Sequence, residues 1–355
     1  MNKCYSIISV IIISFFFPVV ALAQGPNGSG IYYQKAQGKK GAELKTALCG
    51  IIYNRKERGN ADASYRQLWT DFKTTDVRPD GSIWDMYSGT SHFTPVADQD
   101  KGSHKEEGLV YNREHSFPKS WFGGKVMPMY TDLFHLYPTD AYVNEKRSDY
   151  PFGETNGEKY TSNGGFSKLG VCIYEGYSGT VFEPNDEYKG DFARTYFYMV
   201  TCYEEKLPDL YQNEGAKNTL DGNTYPGLTA WQLKMLLEWS AKDPVNRKEI
   251  NRNNAVYALQ ENRNPFIDYP GLEDYIWGDK QDIAFDYENF GQQTLYGDAN
   301  DDGEITVADI VTMIDYMRGT ASDGFNFNAA DMNGDNIIDI ADILQILTIL
   351  LSTTK

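Results

Sequence analysis

Apolar residues recur with helical spacing in several separate segments of the chain. The spacing is clearest at residues 229–240, where the apolar residues on or near one helical face are Trp231, Leu233, Leu236, Leu237 and Trp239. Because an α-helix turns once every 3.6 residues, this spacing predicts an amphipathic helix. The same criterion predicts further helices at residues 41–54, 64–72, 191–204 and 247–260.

Turn-forming residues separate these segments. Residues 77–82 (Val-Arg-Pro-Asp-Gly-Ser) predict a turn, and the aromatic run at 83–87 fits a strand or a loop. Residues 150–165 hold several Gly and Asn residues and are predicted as a loop. Residues 281–296 lack a clear period, so we expect a linker there, between a domain at 24–280 and a module at 297–355.

The first 23 residues have the composition of an export signal. Lys3 gives a positive start, residues 7–20 are almost wholly apolar, and Ala21-Leu22-Ala23 is a cleavage site of small residues. A retained membrane anchor is the alternative, because the apolar run is slightly long for a signal, but Pro18 and the cleavage site favour removal. We therefore expect a secreted protein, extracellular, periplasmic or at the cell surface, with a flexible leader at 24–30 and no membrane insertion after cleavage.

The composition indicates a folded protein with an uneven charge distribution. Of 355 residues, 41% are hydrophobic and 14% aromatic, which is enough for one large domain plus a smaller one. The net charge is −17, of which residues 296–355 carry −9, with 11 acidic and 2 basic residues. The remaining −8 is mild, yet it argues against binding an anionic substrate by bulk charge. A metal ion and a local basic cluster would have to attract such a substrate.

Several common catalytic and metal-binding motifs are absent from the sequence. It has no Cys-x-x-Cys, His-Glu-x-x-His, Gly-x-Ser-x-Gly or phosphate-binding Gly-x-x-x-x-Gly-Lys-Ser/Thr pattern. After signal cleavage Cys49, Cys172 and Cys202 remain, so at most one internal disulfide can form and the redox state stays open.

Two acidic segments near the C-terminus repeat each other 33 residues apart. Each places side-chain oxygens at loop positions 1, 3, 5 and 12, a spacing that wraps a loop around one hard cation, with a backbone carbonyl at position 7. Position 6 needs an unusual backbone conformation, which Gly303 and Asn336 tolerate. The repeat predicts two Ca²⁺ ions; the alternative is an acidic turn without an ion. The predicted ligands are Asp298, Asn300, Asp302, Glu304 and Asp309 in the first loop, and Asp331, Asn333, Asp335, Ile337 and Asp342 in the second.

An apolar helix is predicted after each loop. Its apolar residues are Ile310, Val311, Ile314 and Met317 in the first repeat, and Ile343, Leu344, Ile346 and Leu347 in the second. Residues 297–352 thereby resemble a type I dockerin, a small all-α calcium-loop module, and the resemblance implies a cohesin-like protein partner. A tail that only stabilises the chain is the alternative, because apolar surface alone does not identify a partner.

A carboxylate and an imidazole stand side by side in the run Tyr111-Asn-Arg-Glu-His-Ser-Phe-Pro-Lys-Ser-Trp-Phe. His115 is a candidate general base, because its ordinary pKa lies near neutrality. Glu114 is a candidate Mg²⁺ ligand, since Mg²⁺ needs only one or two protein oxygens. Neighbouring side chains on a regular strand point to opposite faces, so the pair can share a site only at a strand end or an irregular loop.

A second polar run, His135 to Ser148, supplies further candidates. Pro138-Thr139-Asp140 predicts a helix start, which places Asn144 in the second turn as another oxygen ligand. Arg147 lies three residues later on the same face, where it could meet a phosphate. An exposed helix face without a function is the alternative for both residues.

These runs resemble the bacterial endonuclease I family of secreted nucleases. The resemblance rests on Tyr111 to Ser120, Asp132-Leu-Phe-His-Leu-Tyr-Pro and Val143-Asn-Glu-Lys-Arg-Ser, with Asn262-Arg-Asn-Pro-Phe-Ile-Asp and Tyr275-Ile-Trp further on. It spans about residues 31–278 and implies an α+β fold, in which a ββα-metal (His-Me) finger is embedded in a mainly helical body. Phe134 departs from the family, many members of which have histidine there.

The resemblance also implies roles for individual residues. His115 would be the general base, and Glu114 and Asn144 would hold one catalytic Mg²⁺, leaving a 5′-phosphate product. Arg147 is a candidate catalytic contact to phosphate. His135 would either stabilise the finger or touch substrate. The candidate substrate-binding residues are Arg113, Lys119, His135 and Arg263.

Together these features predict a secreted, monomeric, Mg²⁺-dependent endonuclease with little sequence specificity and a calcium-binding docking module. The preference for DNA or RNA, and for single or double strands, stays open. One alternative is a nuclease fold without activity that serves as a scaffold for binding. Another is a metal-dependent hydrolase of a different phosphate ester.

Overall fold

A computed structural model describes residues 26–56, 58–102, 104–290, 296–302, 304–320, 324–333 and 337–352. The predicted export signal at 1–23 lies outside these residues. Within them, none of the helices combines the length and the apolar character needed to span a bilayer. The chain divides into two compact units, Met1–Glu288 and Asn289–Lys355, which are described separately.

The first unit is mainly helical with two small sheets, which confirms the predicted α+β class. Its helices are α1 (Gly41–Ile52), α2 (Ala61–Thr75), α3 (Ala141–Arg147), α4 (Lys189–Cys202), α5 (Leu207–Leu210), α6 (Ala230–Lys242), α7 (Arg247–Gln260), α8 (Pro265–Asp268) and α9 (Leu272–Ile276). Its strands are β1 (Tyr111–His115), β2 (Leu136–Asp140), β3 (Tyr160–Thr161), β4 (Lys168–Val171) and β5 (Thr180–Glu183).

The five helices predicted from periodicity are all present. Helix α7 has the predicted bounds, whereas α2 is longer than predicted at both ends. It begins early because the Asn60 side chain accepts a hydrogen bond from the Ala63 amide and so caps the first turn. The segment at 83–87 lies outside the strands β1 to β5; Ile83 forms a bridge with Val77, and its amide donates a hydrogen bond to the Phe93 carbonyl.

Helix α4 is the centre of the first unit. Every residue from Gly190 to Cys202 is buried, and the helix packs against α1 and α6. A helix buried on all sides must pair its polar groups internally. Arg194 does so with both oxygens of Glu249, at 2.7 and 2.8 Å. Cys49, Cys172 and Cys202 are free thiols in this structure.

Strands β1 and β2 and helix α3 form a continuous ββα unit, as the family resemblance implied. The strands pair antiparallel, with Tyr111 opposite Asp140 and His115 opposite Leu136. The predicted helix start needs a correction, because Pro138 and Thr139 belong to β2 and pair with β1. Asp140 ends the strand and caps α3, accepting hydrogen bonds from the Tyr142 and Val143 amides.

Two other predicted segments differ from the structure. The loop predicted at 150–165 contains β3, the edge of the sheet β3–β4–β5. A two-residue strand is too short to show periodicity. The packed first unit also extends into the segment predicted as a linker, because Phe285 and Tyr287 are buried and Tyr269 donates a hydrogen bond to the Tyr287 carbonyl.

The second unit is a small helical module. Its helices are α10 (Val307–Met317), α11 (Phe327–Ala330) and α12 (Ile340–Ser352). Its core consists of Ala299, Met313, Ala330, Ile338 and Ile346. The two repeats therefore contribute matching apolar residues, Met313 and Ile346, to one shared core.

Candidate active site

Strand β1 lies between two helices and presents a different set of side chains to each. Asn112 and Glu114 face α3, where they contact Asn144 and Arg147 respectively. Arg113 and His115 face α2, where both stack on Tyr65. This division follows from the two-residue period of a strand.

The two faces of β1 nevertheless open onto one cleft of about 550 Å³. Glu114 and His115 both line it, and His115 is the last residue of the strand, as sharing a site requires. Asn144 and Arg147 line the same cleft from α3. The structure therefore brings the four predicted catalytic residues together.

Glu114 is a buried carboxylate with three side-chain partners. Its Oε1 accepts a hydrogen bond from the Tyr87 hydroxyl at 2.8 Å and lies 3.1 Å from Nη1 of Arg147. Burial raises the pKa of Glu114, while the Arg147 charge and hydrogen bonds from Tyr87 and Asn144 oppose that rise. These partners favour the ionised form that a cation ligand needs.

His115 is held in one tautomer by a backbone carbonyl. Its Nε2 lies 3.0 Å from the Tyr130 oxygen. A carbonyl only accepts, so Nε2 carries the hydrogen and Nδ1 of the neutral ring is left as a proton acceptor. Burial lowers the pKa of His115 well below its ordinary value, and the neighbouring His135 lowers it by a smaller amount. The ring is therefore neutral at pH 7 and stacks on Tyr130 with centroids 5.4 Å apart.

Arg147 joins α3 to the end of β1. Its side chain is only 1% exposed. Its Nη2 donates to the Ser116 carbonyl at 2.6 Å, and its Nη1 donates to the His115 carbonyl at 3.3 Å. Together with Glu114, these contacts occupy both terminal nitrogens of a buried guanidinium, so the predicted phosphate contact does not match its surroundings. The geometry makes Arg147 the counter-charge of Glu114.

Of the other predicted substrate contacts, two line the cleft. Arg113 lies over the rings of Tyr65 and Trp69, with its guanidinium carbon 3.7 and 4.3 Å from the two centroids. Its Nη1 also donates to the Tyr65 carbonyl at 2.7 Å. Lys119 is exposed at the cleft rim. These two cations form the basic wall of the cleft.

His135 and Arg263 do not line the cleft. His135 is fully buried behind His115, with Nε2 2.6 Å from the Met129 carbonyl, so its position fits support of the finger. Arg263 forms a paired contact with both oxygens of Asp268, at 2.6 and 2.7 Å. Phe134, the departure from the family pattern, is buried against Tyr198.

The cleft also contains residues that the sequence did not single out. In the lining of this cleft, His104 lies between Asp100 and Glu145, at 3.0 and 3.2 Å. Tyr65 and Tyr87 come from segments far upstream of β1 and reach the site only through the fold. No local pattern could have identified them.

The two calcium loops share one hydrogen-bond pattern in their described parts. Asp309 Oδ1 accepts from the Asn300 amide and Oδ2 from the Thr306 amide, at 3.2 and 2.7 Å. Asp342 accepts from the Asn333 and Asp339 amides in the same way, at 3.2 and 2.9 Å. The carboxylate at loop position 12 thus accepts hydrogen bonds from equivalent backbone amides in both loops.

Loop position 5 adds further hydrogen bonds in the first loop. In the first loop, Asp302 accepts at Oδ1 from the Glu304 amide and donates its own amide to Asp298. Gly303, Asp335 and Asn336 lie outside the described residues. Among the residues that are described, no group of three or more His, Cys, Asp or Glu side chains is already arranged to hold a metal ion.

Comparison with known proteins gives matches in both units. A family profile described as endonuclease I matches residues 40–271, and one described as dockerin type I domain matches 296–351. An extracellular ribonuclease of Bacillus amyloliquefaciens is 37% identical over 255 residues, covering 69% of this chain and 78% of that protein. An extracellular ribonuclease of Bacillus subtilis (strain 168) is 33% identical over 279 residues, covering 72% and 87%. An extracellular deoxyribonuclease of Aeromonas hydrophila is 28% identical over 139 residues, covering 39% and 49%.

Proposed function

The chain belongs to the endonuclease I family and carries a C-terminal type I dockerin domain, and on that premise we propose that it is a secreted, metal-dependent endonuclease that cuts RNA and DNA with little sequence specificity. One observation carries this proposal: a neutral imidazole and a buried, charge-paired carboxylate lie on the two faces of one strand and line the same cleft. Base and cation ligand can then act on one phosphate from two sides.

The residues around Glu114 suit a hard divalent cation. Glu114 offers a carboxylate whose charged form is favoured by Arg147, and Asn144 offers an amide within hydrogen-bonding reach of it. Oxygen ligands of this kind are those that Mg²⁺ prefers, and Mg²⁺ keeps several of its waters. When bound, Mg²⁺ would supply positive charge that stabilises the charge developing on the phosphate and the leaving 3′ oxygen.

His115 would act as the base in this reaction. Its Nδ1 would take a proton from the attacking water, while the Tyr130 carbonyl holds Nε2–H and steadies the resulting imidazolium. Attack on phosphorus breaks the bond to the 3′ oxygen, which takes a proton from solvent water, so the products are a 5′-phosphate and a 3′-hydroxyl. Arg113 and Lys119 would hold the phosphates of the strand along the basic wall.

The relatives support both substrates and the location. The two relatives that match most of the chain are named extracellular ribonucleases, and a third is named an extracellular deoxyribonuclease. We expect the purified full chain to degrade RNA and nick plasmid DNA with Mg²⁺, to stop in EDTA, and to slow as salt rises. Gel digestion of both substrates, with and without Mg²⁺, measures this. Wild-type protein that cuts neither substrate would leave the scaffold alternative standing.

The dockerin domain presents two matching apolar stripes that fit a docking role. The exposed residues come in pairs 33 residues apart. Within each repeat they recur at helical spacing, so they share one helix face. The pairs are Val307 and Ile340, Val311 and Leu344, and Ile314 and Leu347. We propose that this surface binds a cohesin-like protein, which would anchor the nuclease outside the cell.

Removing calcium is expected to abolish this docking and to destabilise the dockerin domain. The position-12 carboxylates and the other loop oxygens repel one another unless a cation lies between them, and binding to the folded form alone adds stability, about 2.7 kcal/mol at a hundredfold excess over Kd. Calorimetry of the full chain with Ca²⁺ and capture on an immobilised cohesin domain, with and without EGTA, measure both effects. Asp342→Asn should weaken calcium binding at the second loop. Capture that persists in EGTA would contradict the calcium requirement.

A further inference from the structure

Asn112 is placed to fix the side-chain orientation of Asn144, one of the two candidate cation ligands. It precedes Glu114 by two residues, so the two side chains share the face of β1 that looks towards α3. Its Oδ1 accepts a hydrogen bond from Nδ2 of Asn144 at 2.6 Å. Asn112 is half-buried and lines the cleft. The contact is thus a direct, short bond between a strand and the helix that carries the ligand.

The NH₂ group of Asn144 carries two N–H donors, and these serve two acceptors, Asn112 and Glu114. Its hydrogen bond to Glu114 must also come from Nδ2, because a carboxylate only accepts. A cation at Glu114 competes with that hydrogen bond, since both bring positive charge to the same oxygens. The contact with Asn112 does not compete, because Asn112 is not one of the two proposed ligands.

We infer that Asn112 is a positioning residue for cation binding, which anchors the Asn144 NH₂ group and leaves the Asn144 carbonyl oxygen available to a hard divalent cation. The partner of a ligand that fixes the orientation of that ligand typically accounts for 10- to 100-fold in metal affinity. This inference rests on the proposed function, because it presupposes a cation held by Glu114 and Asn144.

Substitutions at Asn112 separate orientation from bulk. Asn112→Leu has a similar volume but no acceptor, whereas Asn112→Asp keeps an acceptor oxygen. Binding of Mn²⁺, a probe for Mg²⁺, is measured by electron paramagnetic resonance on the full chain with its dockerin loops saturated with Ca²⁺. The binding that disappears in Glu114→Gln defines the cleft site. Asn112→Leu should weaken that binding about tenfold, and Asn112→Asp should keep it within about threefold of wild type.

The remaining outcomes also decide the question. Wild-type affinity in Asn112→Leu, or equal loss in both variants, would overturn the positioning role. If Asn112→Leu does not fold, as judged by circular dichroism, Asn112→Ala removes the same acceptor without adding apolar bulk. If the wild-type protein cuts nucleic acid with Mg²⁺ and Asn112→Leu binds Mn²⁺ with wild-type affinity, only the role of Asn112 is contradicted. If the wild-type protein neither cuts nucleic acid nor binds Mn²⁺ in the cleft, the proposed function itself is contradicted.

Discussion

Replacing His115 by alanine is expected to lower the rate of phosphodiester cleavage by about 10²- to 10⁴-fold, the usual contribution of a general base. Among the residues that the structure describes, His115 is the neutral imidazole that shares the cleft with Glu114 and has a tautomer fixed by a backbone carbonyl. The fold should survive, because Tyr65, Tyr130 and Phe122 still pack around the vacated position. Initial rates on plasmid DNA and RNA, with circular dichroism as the folding check, measure the effect.

A matched control and a chemical rescue make this test specific. His92→Ala removes a histidine whose side chain is 75% exposed and is not among the cleft residues, so its activity should equal that of wild type. Added imidazole should restore part of the activity of His115→Ala, because it can enter the vacated space and accept the proton. A His115→Ala protein that cuts at the wild-type rate would rule out this residue as the base.

The pH dependence of the wild-type enzyme follows from the same environment. Burial holds the pKa of His115 well below 6.5, so the base stays neutral as pH falls through 6.5. Any loss of rate caused by protonation of His115 should therefore appear only below pH 6.5. Stability should fall in the same pH region: the unfolded chain binds a proton near pH 6.5 that the folded chain does not, so stability falls as pH drops below that value.

The active site shows which parts of this protein local sequence determines. The resemblance implied that Glu114 and Asn144 hold one cation, and the structure places both residues in one cleft, because β1, β2 and α3 are close in sequence and joined by pairing. Both family resemblances are confirmed. The partners that tune the site, Tyr65 and Tyr87, could not be predicted, since they reach it through the packing of α2 and a loop that shows no period.

Arg147 illustrates the limit of helical spacing. The three-residue step from Asn144 correctly placed both side chains on one helix face, but spacing does not tell whether that face meets solvent or a strand end. In the fold, that face covers the end of β1, so the guanidinium is buried. The linker predicted at 281–296 differs from the structure for a related reason: Phe285 and Tyr287 are buried individually in the first unit, without forming a periodic element.

Replacing Arg147 by methionine is expected to destabilise the first unit by about 3–5 kcal/mol, the usual cost of leaving a buried charge without its partner. Methionine keeps much of the side-chain length but removes the counter-charge of Glu114 and the donors to the His115 and Ser116 carbonyls. Without that charge the pKa of Glu114 should rise further, so the carboxylate protonates at a higher pH. Urea unfolding of the full chain measures the stability.

For the same variant we expect a change in activity that a purely structural defect would not produce. Because the proposed cation binding requires an ionised Glu114, the acid side of the rate profile should move to higher pH in Arg147→Met, and more Mg²⁺ should be needed at a given pH. Arg147→Lys keeps the charge and should lie between the two proteins. The double variant Arg147→Met/Glu114→Gln removes both charges and should regain part of the lost stability, which would show that the unpaired carboxylate causes the loss. If the free energy of unfolding of Arg147→Met lies within about 1 kcal/mol of the wild-type value, the expected cost of an unpaired buried charge is absent. Water or another donor would then replace the guanidinium, and the ion pair would not be what favours the charged form of Glu114.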